Sequence, residues 1–388
     1  MPGPATRLYP TQGRDHMANM MDYLVWRGDV PLEVSPWNDV DSLIAATLSY
    51  MTYPAEPTLL VDAAASMPPP PEIEINFIKE ARALLSAAGM TGRFSGLTLH
   101  HAQAQTDPDR DMQFAAVTID LPGGVHYVAF RGTDNTIVGW REDFNMAFES
   151  PVPAQTAASA YLTQVAADTE GPLILGGHSK GGNLAVYAAA HADPAIQARI
   201  RAICSFDGPG LDDATMASDG YAAIARRIRS FVPKSSVVGM LLAYHPEYTV
   251  VKSDALGLLQ HDTFTWQVLG TRFIEAPEVD VGSQLVNQTV HAWLSRVTPD
   301  QRRLFVDTLF DLLEATGAST MKEMMTDVPG RAAGIIKALQ KVDFDTARMI
   351  ATLLGQFMTI GAQNILGLLR ARRAEETPAI TEGETSNE

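Results

Sequence analysis

Apolar residues recur every three or four positions in several stretches of this chain, which is the spacing of one buried helix face. Residues 38–50 and 72–88 show this spacing and predict two amphipathic helices. Strand patterns stop after about residue 275, where Thr298-Pro299-Asp300-Gln301 matches a capping box with proline at the first helical position. The helix that this box opens is predicted to end at Gly317, and further helices are predicted after it.

Between these helical regions, short runs rich in β-branched and aromatic residues predict strands. The first runs occupy residues 97–101, 113–121 and 125–131, and Pro122-Gly123-Gly124 predicts a hairpin between the last two. The later runs alternate with helical patterns and occupy residues 173–176, 202–206, 228–232 and 248–252. Such alternation predicts a parallel sheet whose strands are joined by right-handed helical crossovers.

Gly177-His178-Ser179-Lys180-Gly181 lies between the apolar run 173–175 and a helical stretch, so the order is strand, tight turn and helix. This is the context of a nucleophile elbow, where a serine in strained backbone needs small residues two positions before and after it. The N-terminal end of the following helix favours negative charge that develops near the serine. A hairpin leading into a parallel sheet with such an elbow predicts an α/β-hydrolase fold. Ser179 is then the nucleophile, and a phosphate-binding or purely structural turn is the alternative.

The predicted organisation is a disordered leader at 1–16, an α/β-hydrolase domain with an N-terminal helical segment at 17–275, a helical C-terminal region at 276–372 and a disordered tail at 373–388. The length of 388 residues and the hydrophobic fraction of 46% suit one large core with helical additions. The net charge of -16 disfavours a nucleic-acid partner, which needs basic surface.

The single cysteine, Cys204, lies in an apolar run and is predicted to be a core residue. Neither an internal disulfide nor a cysteine metal site is expected. The N-terminus lacks the apolar core of a signal peptide, which predicts a cytoplasmic protein.

A serine needs a neighbouring base to take its proton. Of the nine histidines, those after Ser179 are His191, His245, His261 and His291. The first lies at the far end of the elbow helix and the last in the predicted helical region, so two candidates are left. His261 follows the last predicted strand, where the histidine of this fold belongs, and is preferred to His245.

The acid is less clear, because the loop after strand 228–232 contains no carboxylate. Asp207 follows the preceding strand at the same sheet edge as the elbow, and we expect it to hold the required tautomer of His261. Asp254 and Asp262 are alternatives. Asp207 could instead cap its own Gly-Pro-Gly turn.

Two N–H donors are needed to stabilise an oxyanion. The backbone of Lys180, directly after the serine, is one candidate, and its side chain is expected to be solvated. Thr133 is the other, since Gly132 before it permits a close backbone approach, and Asp143 is expected to orient the Thr133 hydroxyl. The apolar loop with Val238, Met240 and Leu241 is a candidate acyl pocket or plain core.

Three motifs together resemble the fungal-type, class three triacylglycerol lipases: Val128-Ala129-Phe130-Arg131-Gly132-Thr133, Trp140 with Asp143, and the elbow around Ser179. The resemblance implies that Thr133 contributes to the oxyanion hole and that Ser179 is the nucleophile. Lipases of that family carry their acid in the loop where this chain has Ser235-Ser236, so the resemblance implies a relocated acid here.

Over residues 18–320 the chain more closely resembles an uncharacterised bacterial family of lipase-like α/β hydrolases. The matching segments are Asp22-Tyr23-Leu24-Val25-Trp26-Arg27-Gly28-Asp29, Phe206-Asp207-Gly208-Pro209-Gly210, Val232-Pro233-Lys234-Ser235-Ser236-Val237-Val238-Gly239-Met240-Leu241, and Gln260-His261-Asp262 with Trp266. No substrate is assigned to this family, so the resemblance implies the fold more than the reaction.

Residues 349–369 contain no charged side chain and are long enough to span a bilayer. A polar stripe at Thr352, Gln356, Thr359 and Gln363 favours instead an amphipathic helix packed on the domain. Contact with a membrane surface and a membrane span are the alternatives.

The sequence therefore predicts a serine esterase or lipase that acts on a small ester or lipid and needs no metal or cofactor. A non-catalytic, hydrolase-like protein that binds a lipid or a partner is one alternative. A thioesterase or an acyltransferase with the same residues is another. The oligomeric state is left open.

Overall fold

The computed structural model describes residues 17–70, 75–107, 110, 112–133, 142, 145–146, 150–240, 245–280, 298, 344–345, 347–348 and 352. The predicted helix at 298–317 and nearly all of the predicted C-terminal region at 276–372 lie outside these residues, as do the leader and the tail. The division of the chain into these parts stays a prediction.

The strands of the described residues are β1 Thr58–Leu59, β2 Thr98–Asp107, β3 Met112–Leu121, β4 Val125–Phe130, β5 Leu173–His178, β6 Ile200–Phe206, β7 Ile228–Pro233, β8 Tyr248–Val251, β9 Val268–Leu269 and β10 Arg272–Phe273. The helices are α1 Met20–Arg27, α2 Asp39–Leu48, α3 Leu60–Ala65, α4 Asn76–Gly89, α5 Pro153–Asp168, α6 Lys180–His191, α7 Pro194–Arg199, α8 Asp213–Met216 and α9 Asp219–Ile224. The short strands β9 and β10 form a separate antiparallel pair.

One eight-stranded sheet holds β1 to β8 in chain order. The pairs from β1 to β4 are antiparallel, and those from β4 to β8 are parallel. The predicted hairpin joins β3 to β4, where Leu121 pairs with Val125. Parallel strands end at a common edge, so the residues after β4, β5, β6 and β7 lie near one another.

Helices cover both faces of this sheet. On one face, residues of α1, α2 and α4 pack against Ile119, Tyr127 and Phe206. On the other face, residues of α5, α6 and α9 pack against Val128, Leu175 and Ile203. Cys204 is buried in the first of these layers, and burial raises the pKa of its thiol to about 12, as fits a core residue. The predicted α/β-hydrolase fold, a mostly parallel sheet between helices, is confirmed.

A buried ion pair connects the N-terminal helices to one another. The side chains of Arg93 and Asp41 are fully buried and bonded to each other. The hydroxyl of Tyr23 in α1 donates to the same carboxylate over 2.7 Å. Asn38 caps α2 by accepting from the Val40 N–H at 2.9 Å, as its place before the helical pattern suggests. The position of α4, which contributes to the site described below, depends on this anchoring.

Candidate active site

Ser179 lies on the turn between β5 and α6 with φ 59° and ψ -133°, a backbone conformation that is strained for a residue with a side chain. The flanking glycines make this turn possible. A Cβ on Gly177 would lie 2.2 Å from the carbonyl carbon of Gly181, and a Cβ on Gly181 would lie 2.2 Å from the carbonyl oxygen of Phe130. The Ser179 N–H donates to the Phe206 carbonyl over 2.9 Å, which ties the turn to β6.

The imidazole of His261 faces the serine, with Nε2 3.0 Å from Ser179 Oγ. His261 ends a 3₁₀ turn at Gly257–His261, which follows β8 as the sequence predicts. The fully buried Trp266 fixes this turn, because its indole N–H donates to the Gln260 carbonyl over 2.7 Å. Gln260 also accepts from the Ser235 N–H at 2.7 Å, which connects the turn to the loop after β7.

The carboxylate of Asp207 faces the other side of the ring, with Oδ2 2.6 Å from His261 Nδ1. Its second oxygen accepts from the Ser236 hydroxyl at 2.5 Å and from the Gly239 N–H at 3.1 Å. Because the Asp207 carboxylate accepts a hydrogen bond from Nδ1, the proton of a neutral His261 lies on Nδ1. The lone pair of Nε2 then faces Ser179. This arrangement can accept the proton of the serine hydroxyl.

The alternative bases and acids lie elsewhere. His245 Nδ1 is 2.7 Å from the Tyr221 hydroxyl, and burial lowers the pKa of this histidine. Asp254 accepts from the Met17 N–H and the Gln267 side chain, and Asp262 accepts from the Phe264 N–H at 3.0 Å. The structure thus brings together the three side chains preferred on sequence grounds.

The candidate oxyanion donors flank the serine. Lys180 is the first residue of α6, so its backbone N–H belongs to the helix N-terminus beside Ser179. The chain after β4 also approaches the elbow, since a Cβ on Gly132 would lie 2.4 Å from the His178 carbonyl oxygen and 3.1 Å from Ser179 Cβ. Thr133 follows directly and is half-buried. Asp143, expected to orient the Thr133 hydroxyl, lies outside the described residues.

The expectation that the Lys180 side chain is solvated is wrong. Its ammonium group is fully buried and lies 2.7 Å from Glu142 Oε2. It also donates to the Gln113 carbonyl over 3.0 Å. Glu142 accepts in addition from the Ala154 N–H at 3.1 Å, so α5 is attached to the same ion pair. The helix that follows the serine is therefore anchored at its first residue, by a partner that no sequence motif identifies.

His178, directly before Ser179, is a part of the site that the sequence did not indicate. Its Nε2 lies 2.9 Å from the His261 carbonyl oxygen, and its Nδ1 lies 3.0 Å from the Tyr50 hydroxyl. The ring stacks on Phe77 of α4 with centroids 5.4 Å apart. Burial, together with the neighbouring His261, lowers the pKa of His178 well below its usual value. A neutral His178 that donates from Nε2 and accepts at Nδ1 satisfies every one of these contacts.

The predicted acyl pocket is described only in part. Val238 begins a 3₁₀ turn at Val238–Met240, next to the Gly239 N–H that Asp207 binds. The side chain of Met240 and the whole of Leu241 lie outside the described residues, so the pocket stays a prediction.

Residues 349–369 also lie outside the described residues, apart from Thr352, which donates to the Arg348 carbonyl over 2.8 Å. Within the described part of the chain, every helix is too short or too polar to span a membrane.

The fold and the serine turn define the chain as an α/β-hydrolase-fold protein. Residues 88–311 match the Mbeg1-like family, and the chain belongs to that family. Eight chains of solved structures are similar to it. They include M37 lipase, with 16% identity, 52% of this chain and 69% of that chain covered and a TM-score of 0.34. They also include a mutant of MDLA from Penicillium cyclopium. It has 13% identity and a TM-score of 0.33, and the match covers 58% of this chain and 83% of that chain. No curated protein shows significant similarity.

Proposed function

We propose that the protein is a serine hydrolase that cleaves carboxylic esters through an acyl-enzyme on Ser179. The observation that carries the proposal is the continuous hydrogen-bonded chain from Ser179 through His261 to Asp207, with distances of 3.0 and 2.6 Å. Ser179 and Asp207 are buried, and 21% of the His261 side chain is exposed. A buried carboxylate beside a partly exposed imidazole supports proton transfer at the serine.

In the first half of the proposed reaction, Ser179 Oγ attacks the ester carbonyl carbon while His261 Nε2 takes the hydroxyl proton. The carbonyl π electrons move to oxygen, and the N–H groups of Thr133 and Lys180 stabilise the resulting oxyanion. The oxyanion then collapses, the bond to the alcohol oxygen breaks, and His261 returns the proton to that oxygen. Asp207 stabilises the imidazolium that exists between these two transfers.

In the second half, His261 takes a proton from water, and the water oxygen attacks the acyl carbon on Ser179. Collapse of this second oxyanion releases the carboxylic acid, and the proton returns to Ser179 Oγ. These steps need no cofactor, and the sequence expectation that none takes part stays a prediction. A small ester or a lipid is the proposed substrate. The same reaction could act on a dissolved ester or on a lipid at a membrane surface.

Two other reactions use the same groups. Acyl transfer to another alcohol or hydrolysis of a thioester would begin with the same attack by Ser179. The hypothesis of a non-catalytic binding protein rested on the missing carboxylate near Ser236 and on the large helical additions. Because Asp207 faces His261 Nδ1 at 2.6 Å, that absence no longer favours a protein without catalysis.

A hydrolysis assay with p-nitrophenyl esters of graded acyl length tests the proposal. We expect the wild type to hydrolyse at least one ester, and Ser179→Ala and His261→Ala to lose roughly 10³-fold or more of kcat. His245→Ala is the matched control, because His245 contacts Tyr221, and it should retain its rate. Hydrolysis by Ser179→Ala at more than a few per cent of the wild-type rate would overturn the proposal.

A further inference from the structure

A cluster of histidines lies at the sheet edge opposite the candidate active site. His126 is near the start of β4 and pairs with Leu173, whereas Phe130 at the end of β4 pairs with Gly177 beside the elbow. Asp120 on β3 pairs directly with His126, so their side chains lie on the same face of the sheet. The side chains of this cluster therefore take no part in the chemistry proposed for Ser179.

Two imidazoles of this cluster meet one carboxylate oxygen. His100 Nε2 lies 2.8 Å and His126 Nδ1 lies 2.6 Å from the same Oδ1 of Asp120. The two rings come from β2 and β4, on either side of the strand that carries Asp120. The three ligand atoms all lie within 4.8 Å of one another. Two imidazoles and one carboxylate on a rigid sheet form a donor set typical of transition-metal sites.

The second nitrogen of His126 strengthens this interpretation. Its Nε2 lies 2.8 Å from the carbonyl oxygen of Glu170, which can only accept, so the ring proton belongs on Nε2. In a neutral ring, the lone pair of Nδ1 then faces the Asp120 carboxylate at 2.6 Å. A contact this short needs a cation shared by the two atoms, either a second ring proton or a metal ion. A backbone carbonyl that fixes the far nitrogen is also the usual support of a metal-bound histidine.

A strained neighbour completes the cluster. His101 has a φ of 53°, in the left-handed region, at a β-bulge that shifts the register between His100 and Gln103. The bulge brings two consecutive histidines together, with their Nδ1 atoms 2.5 Å apart. His101 Nε2 in turn lies 3.0 Å from Asp168 Oδ2 at the end of α5. Bulges often redirect side chains at functional positions. This bulge places His101 against Nδ1 of His100, the nitrogen that faces away from Asp120.

We propose that His100, Asp120 and His126 bind one divalent transition-metal ion of the zinc class. Imidazole ligands favour such ions over Mg²⁺ and Ca²⁺, which prefer oxygen. Zinc bonds of about 2.0–2.1 Å place tetrahedral ligand atoms roughly 3.3 Å apart, so modest ring rotations would open the site from its present distances. A cavity of about 460 Å³ is lined in part by His100, His101 and Asp120, so it reaches two of the three proposed ligands.

The ion would connect β2, β3 and β4 and, through Asp168 and Glu170, would link them to the segment between α5 and β5. We therefore expect it to stabilise the antiparallel half of the sheet. Because the active-site residues lie at the opposite edge, its removal should leave ester hydrolysis by the folded protein unchanged. This independence makes the metal site testable whether or not the proposed hydrolase activity is found.

Calorimetric titration of the EDTA-treated full chain with ZnCl2 tests the proposal. We expect one Zn²⁺ per chain, a higher Tm with Zn²⁺ and no comparable response to MgCl2. Asp120→Asn and His126→Gln should each weaken Zn²⁺ binding roughly tenfold or more. His245→Gln is the matched control, since it removes a histidine outside the cluster, and should bind as the wild type does.

Absorption spectra with Co²⁺ provide a second readout that protein stability does not alter. A tetrahedral nitrogen and oxygen site should give strong visible bands in the wild type and in His245→Gln, and these bands should be lost in His126→Gln. If Asp120→Asn does not fold, as judged by metal-free circular dichroism, the comparison between His126→Gln and His245→Gln decides. An absence of Zn²⁺ binding in the wild type, or equal binding in wild type and His126→Gln, would overturn the proposal.

Discussion

Ser236 donates its hydroxyl to Oδ1 of Asp207, although the two residues follow different strands of the sheet. The resemblance to class three lipases implies an acid in the loop that contains Ser236. Here that loop supplies a donor, and the carboxylate stands one strand earlier in the sheet. One oxygen of the proposed acid, Asp207, therefore accepts from Ser236, while its other oxygen faces His261.

Asp207→Asn should lower kcat by several powers of ten, up to roughly 10⁴, and should leave the fold intact. Asparagine keeps the side-chain volume and tolerates the φ of 49° at this position, but its amide can hold the wrong tautomer of His261. Kinetics and urea unfolding on the same preparation measure both effects. If Asp207 only caps its turn, kcat would persist while stability falls by about 1 kcal/mol.

Ser236→Ala should have a smaller effect, because it removes one of two donors to Asp207 Oδ1 and leaves the Gly239 N–H in place. We expect kcat to fall by roughly tenfold, which corresponds to one hydrogen bond to a charged group. Values of kcat and KM for one p-nitrophenyl ester test this. A fall in kcat as large as that of Asp207→Asn would contradict the supporting role of Ser236.

Lys180→Met should destabilise the protein by about 3–5 kcal/mol, because it leaves the buried Glu142 carboxylate without its cation. The double variant Lys180→Met/Glu142→Gln is the matched control, since it removes both charges. It should recover part of the lost stability. Urea unfolding of the three proteins measures the difference, and a double variant no more stable than Lys180→Met would contradict this account of the ion pair.

The buried, neutral His178 should make stability depend on pH. Its pKa is lowered in the folded protein, whereas an unfolded histidine titrates near 6.5. Below this value the unfolded chain binds a proton that the folded chain resists. The free energy of unfolding should therefore fall with falling pH, by up to about 1.4 kcal/mol per pH unit from this residue. His178→Gln should show a shallower slope in urea unfolding between pH 5 and 7, and an unchanged slope would contradict this assignment.

The sequence was sufficient for strands β2 to β8 and for the elbow, because each has a local signature, whereas the two-residue strand β1 was not predicted. Apolar runs bounded by turns locate the parallel strands. Gly177 is required by its contact with Gly181 in the same turn, whereas Gly181 is required by the close approach of Phe130 from β4. His261 and Asp207 could be proposed from chain order, since residues after neighbouring parallel strands meet at one sheet edge. Their contact with each other is a property of the fold.

Other features depended on contacts between distant segments. The partner of Lys180 is Glu142, 38 residues away, so burial of this lysine had no local signal. His178 occupies a variable position of its motif, and its contacts Tyr50 and Phe77 come from the N-terminal segment. The helix α5 was missed although Ala158, Leu162 and Val165 lie on one buried face, because alanine and threonine weaken the apolar contrast along it.

Covalent labelling by a fluorophosphonate, followed by intact and peptide mass spectrometry, tests most directly whether Ser179 is an activated nucleophile. A serine activated by His261 displaces fluoride from the probe, and its oxygen becomes bonded to phosphorus. We expect one label per folded wild-type chain, located on Ser179, very slow labelling of His261→Ala and no label on Ser179→Ala. A folded wild type that stays unlabelled, or equal labelling of Ser179→Ala, would contradict this role of Ser179.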